Sequence, residues 1–117
     1  MKDHTELFVY KASYDLLLSI FQVTKNFSKE YKYTVGEQLK NETIEITKCL
    51  FKANVSKDKE AIKYSLEKAS EHLEVIRLLF RVMKDLKQLN LEKFIQINEV
   101  IESISNQLIT WKFAQNK

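Results

Sequence analysis

The chain has 117 residues, 44% of them hydrophobic and 30% charged, with a formal net charge of +3. This is the balance of one globular domain over residues 1–117; it excludes a mainly disordered chain and permits a nucleic-acid partner without demanding one. No apolar run approaches the roughly 18 residues that span a bilayer, so no membrane partner is expected, and a single cysteine behind the opening MKDHTE, which is no signal peptide, predicts a cytoplasmic protein.

The first predicted helix runs from Thr5 to Asn26. Its inward stripe is read as Leu7, Tyr10, Tyr14, Leu17 and Phe21. A second apolar series, Val9, Leu16, Ile20, Val23 and Phe27, lies about 130° away at about 100° per residue. Phe27–Tyr33 reads as a connection. Thr34 and Glu37 have the spacing of a capping box, which predicts the start of a second helix with Val35, Leu39, Ile46, Leu50 and Ala53 inward. Asn54–Lys57 interrupts the pattern, and Ser56 or Asp58 is expected to cap the third helix.

The third helix carries the clearest signal: Ile62, Leu66, Ala69, Leu73, Ile76, Phe80 and Met83 recur at alternating steps of 4 and 3. Only an α-helix places such positions on one face, and that face must be buried against partners. The helix is expected to reach Gln88. Asn90 then caps a fourth helix to Phe113, with Phe94, Ile97, Ile101, Ile104, Leu108 and Trp111 inward. The very short Lys87–Asn90 turn makes the last two helices antiparallel neighbours. With no proline, one glycine and no strand-like alternation, the predicted fold is an all-α, antiparallel up-down four-helix bundle.

Apolar surface exceeds what a monomeric bundle needs. The second series of the first helix (Val9, Leu16, Ile20, Val23) is assigned to contacts between subunits. So is the second stripe of the third helix, Val75, Leu78 and Val82, which Leu89 continues. A homo-oligomer is therefore expected.

Little chemistry is legible. The two histidines, His4 and His72, form no Glu-x-x-His, so no metal is expected, and His72 reads as a structural histidine at the core boundary. Cys49 reads as a small core hydrophobe. One glycine cannot build a phosphate-cradling loop. Neither an enzyme nor a cofactor is expected. The charges say more: residues 77–93 carry five basic and two acidic side chains. Arg77, Arg81 and Lys84 share a helix face, and Lys48 and Lys52 stand one turn apart on the second helix. Such spacing makes a positive ridge able to track phosphates of RNA or DNA. The alternative is a structural or protein-interaction bundle whose charges are solvated or paired.

Several segments carry a family resemblance. They are Phe27, then Tyr33-Thr34-Val35-Gly36-Glu37-Gln38, Ala53-Asn54 with Lys59, Leu73-Glu74-Val75-Ile76-Arg77-Leu78-Leu79 with Arg81, Lys84-Asp85-Leu86, Leu89, and Leu108 with Trp111-Lys112. From Phe27 onward the sequence resembles the four-helix-bundle accessory proteins of diversity-generating retroelements. These are relatives of the proteins encoded in intervening sequences of bacterial 23S ribosomal RNA genes. Ser28 stands where that family usually has proline, and Asn106–Thr110 lacks its usual glycines. The resemblance implies a cyclic homopentamer and a basic surface that binds nucleic acid. In retroelement members it also implies a reverse transcriptase partner. By position, Arg77, Arg81 and Lys84 match the family's basic helix.

Overall fold

The computed structural model describes residues 4–116, with side chains from Phe8 onward. The side chains of His4 and Leu7, and Lys117, lie outside the described residues. The helices are α1 (His4–Thr24), α2 (Lys29–Lys32), α3 (Val35–Val55), α4 (Lys59–Asp85) and α5 (Leu91–Ala114), and no strand occurs among the described residues. The four long helices form a ring in which α1 packs on α3 and α5, and α4 packs on the same two. The molecule is elongated along the helices, 46 × 23 × 20 Å.

All seven heptad positions of α4 are buried. They meet Leu39, Ile46, Leu50 and Ala53 of α3 and Ile97, Ile101, Ile104, Leu108 and Trp111 of α5. Phe80 stacks on Phe94 with ring centroids 5.8 Å apart.

The two faces of α1 are the reverse of the sequence reading. Val9, Leu16, Ile20 and Val23, expected between subunits, lie inside the subunit's own core together with Phe27. Tyr14 and Phe21, expected inside, are exposed, while Tyr10 is half-buried. The reason is chemical. A buried tyrosine hydroxyl needs a hydrogen-bond partner, whereas an aliphatic stripe needs none. Ser13 concealed this stripe by interrupting its heptad with a polar residue. It is fully buried, and its hydroxyl has no hydrogen-bond partner among the described residues.

The connections also differ in detail. Thr34 precedes α3, but its hydroxyl donates to the Glu30 carbonyl at 2.7 Å and does not cap Glu37, so the capping box is not formed. The Phe27–Tyr33 connection folds into the single turn of α2. α3 passes close to the end of α1 at Gly36: a Cβ there would lie 3.4 Å from the Tyr31 carbonyl oxygen and 3.5 Å from Thr24 Cβ, ordinary contact distances that do not require glycine. Asp58 precedes α4 without a side-chain cap, and its N–H instead donates to Ser56 Oγ at 3.2 Å. Asn90 caps α5 as expected, its side chain accepting the Lys93 N–H at 2.7 Å.

α4 ends at Asp85, before the expected Gln88, in a left-handed residue. Lys87 has φ of 61°, its N–H donates to the Lys84 carbonyl, and the Gln88 N–H reaches back to Met83. This is the hydrogen-bond pattern of a Schellman motif, with lysine where glycine is usual. The Gln88 side chain then accepts the Ser28 N–H at 2.7 Å, tying the α1–α3 connection to the α4–α5 turn.

Candidate functional site

The basic ridge lies along the groove between α4 and α5. Glu74, Arg77, Leu78, Arg81, Lys84 and Phe94 line it, with Asn98 and Glu102 opposite. Helical spacing places the three basic side chains on the α5 side of α4, but their surroundings differ.

Arg77 is engaged within the subunit. Its Nε donates to Glu74 Oε2 at 3.0 Å, one turn earlier on α4, and its guanidinium also pairs with Glu102 of α5. Lys84 pairs with Asp85 at 3.2 Å, and its ammonium sits 5.0 Å from the Phe94 ring centroid. Since Phe94 stacks on the buried Phe80, the core sets the position of that charge. Arg81 is exposed, and its side chain has no ion pair or hydrogen bond among the described residues. The ridge thus offers one unengaged guanidinium, one ammonium shared with Asp85, and one arginine neutralised by two carboxylates.

Lys48 and Lys52 do not extend this ridge. The contact between His72 Nδ1 and Glu42 Oε1, 2.8 Å, fixes the register of α3 against α4. It places Lys48 and Lys52 beside the first turns of α4, about 17–33 Å along the bundle from Arg77–Lys84 at about 1.5 Å per residue. Lys48 is held by Glu45 at 3.0 Å, and the hydrogen bond from Lys48 lowers the Glu45 carboxyl below its ordinary range. Between the two lysines stands Phe51, which is 60% exposed. The pair forms a separate, smaller basic patch on α3.

The other candidates follow chemically simple roles. His72 is half-buried against Glu42. Burial raises the Cys49 thiol above its ordinary range, which disfavours the reactive thiolate. Among the described residues no three histidine, cysteine or acidic side chains cluster as metal ligands would. No helix among them is long and apolar enough to cross a membrane.

Of the residues assigned to subunit contacts, Leu78 and Val82 of α4 are exposed and Val75 is half-buried. On α1 the exposed apolar side chains are instead Phe8, Tyr14, Leu18 and Phe21. Two features escaped the sequence reading. The Glu74 partner of Arg77 was visible in the three-residue spacing of opposite charges. Glu102 carried no signal, because it meets Arg77 only through the register of two helices.

No curated protein matches the chain. A family model described as bAvd-like matches residues 7–114. With nearly the whole bundle inside that match, the protein belongs to the bAvd-like family, accessory proteins of diversity-generating retroelements.

Proposed function

We propose that the protein is a non-enzymatic accessory factor that binds nucleic acid, works as a homo-oligomer and assists a retroelement reverse transcriptase. The observation that carries the nucleic-acid reading is Arg81: it is exposed, has no partner among the described residues, and stands between Arg77 and Lys84 in one groove. Phosphates drawn along that groove would meet Arg81 and Lys84 first, and each contact would release condensed counterions. RNA, DNA or a hybrid would satisfy this backbone-directed chemistry.

The oligomer is supported by exposed apolar side chains on two helices. Leu78 and Val82 on α4 and Tyr14, Leu18 and Phe21 on α1 are surfaces that a second copy can cover. Family membership points to a pentamer, to the reverse transcriptase as partner and to the bacterial cytoplasm as the setting. Repetition of a weak basic groove around such a ring raises its avidity for a polyanion.

The second reading, a structural bundle that binds no nucleic acid, is favoured by Arg77, whose charge Glu74 and Glu102 already neutralise. Filter binding of RNA and DNA at two salt concentrations, with oligomer mass measured in parallel, decides between them. Salt-sensitive binding lost in Arg81→Glu, with mass unchanged, supports the first. No affinity at low salt leaves the second.

A further inference from the structure

Where α4 hands over to α5, Lys84, Lys87 and Lys93 line an open cleft of about 760 Å³, walled on one side by Val23 and Asn26 from the end of α1. Asp85 is the one acidic residue in this lining, and it pairs with Lys84. The ammonium groups of Lys87 and Lys93 have no ion pair or hydrogen bond among the described residues. The cleft therefore holds two uncompensated positive charges beside a third that is half-compensated. The start of α5 lines it too, so the positive end of a 24-residue helix dipole adds to the same potential.

The walls are fixed. Gln88 accepts the Ser28 N–H through Oε1 and donates to the Leu86 carbonyl through Nε2 at 3.0 Å, using both ends of its amide. Asn90 holds the Lys93 backbone N–H. This concave, preformed site differs from the linear groove above it. A diester phosphate of a strand brings one negative charge at a time. A terminal di- or triphosphate concentrates several in the space that the cleft encloses, and lysine ammonium groups are suited to it as point charges.

We propose that this cleft binds a compact polyphosphate: the di- or triphosphate of a free nucleotide or of a nucleic-acid 5′ end. The cleft shares Lys84 with the Arg81 groove, but Lys87 and Lys93 line the cleft and not the groove, so Arg81 variants and the Lys87–Lys93 pair test the two sites separately.

The test titrates tripolyphosphate into the intact protein at low salt by isothermal calorimetry. Saturable binding is expected, weakened about tenfold or more by Lys87→Ala with Lys93→Ala. Lys48→Ala with Lys52→Ala removes the same charge at the far end and should change affinity by less than about twofold if binding is local rather than a response to net charge. The pair Lys87→Gln with Lys93→Gln, checked for helicity by circular dichroism, must show the same loss as the alanine pair. Two further arms separate the sources. Binding of dATP with an affinity like that of tripolyphosphate identifies a free nucleotide. Preference for an oligonucleotide bearing a 5′-triphosphate over its 5′-hydroxyl twin, lost in the lysine pair, identifies a strand end. No saturable binding, or equal losses in the near and far lysine pairs, overturns the proposal.

Discussion

Arg77 of α4 is bound by Glu102 of α5, so the first charge of the ridge also fastens two helices together. Arg81, one turn on, fastens nothing among the described residues. Their charge reversals should therefore separate. Arg77→Glu places three carboxylates together at a half-exposed site and should cost about 1 kcal/mol of stability. Arg81→Glu should leave the unfolding free energy within about 0.5 kcal/mol of the parent while removing nucleic-acid affinity. Urea unfolding and filter binding of both variants check this, and equal destabilisation by the two would refute it.

Ile20 is fully buried, so Ile20→Asp should unfold the subunit rather than only separate it from its neighbours. An unpaired carboxylate in an apolar core costs more than about 4 kcal/mol. Circular dichroism should show lost helicity along with lost oligomer mass. A helical, monomeric Ile20→Asp protein would return Ile20 to the interface.

Trp111 is 4% exposed and ends the buried stripe of α5. Trp111→Ala should cost about 3–5 kcal/mol, the range for deleting a large buried aromatic. In the unmodified protein its fluorescence should be blue-shifted relative to tryptophan in water. A fully red-shifted spectrum would contradict its burial.

Glu67 of α4 accepts a hydrogen bond from Lys112 of α5 at 2.7 Å, and that bond, followed by the lysine's charge, lowers the Glu67 carboxyl below its ordinary range. A carboxyl lowered in the folded state contributes stability that is complete above the unfolded value and fades as pH falls through the folded one. The melting temperatures of the parent and Glu67→Gln should therefore differ at neutral pH and converge as the carboxyl is protonated in acid. A gap that widens on acidification would reverse the sign.

Lys87 occupies the left-handed region that glycine enters without steric cost. Lys87→Gly should stabilise the protein by about 1 kcal/mol, because the strain of a side chain there is relieved. The same substitution should weaken tripolyphosphate binding. Higher stability with unchanged binding would separate Lys87 from the cleft.

The sequence made the interior of α3, α4 and α5 legible because each carries one dominant apolar stripe, and every heptad position of α4 is buried. α1 was ambiguous because two apolar faces compete and periodicity alone does not rank them. Side-chain chemistry does: the aliphatic face turns inward, while on the other face Tyr14 and Phe21 turn toward water and Tyr10 only edges the core. The ridge was legible as spacing along one helix. Its energetics were not, since Glu102 and Phe94 reach it from another helix, and the distance between the α3 and α4 lysine and arginine clusters depends on register. The capping box failed because Thr34, at φ −118° and ψ −87°, lacks the extended backbone of an N-cap and its hydroxyl turns back to the Glu30 carbonyl, which no spacing rule anticipates.

The bond from the Ser28 N–H to Gln88 closes the basic end of the bundle with both of its connections joined. A ligand arriving there meets charges whose supporting turns are already ordered, so little conformational entropy remains to be lost on binding. Affinity at this end is then set by charge placement, and loosening Gln88 should weaken it without removing a single positive charge.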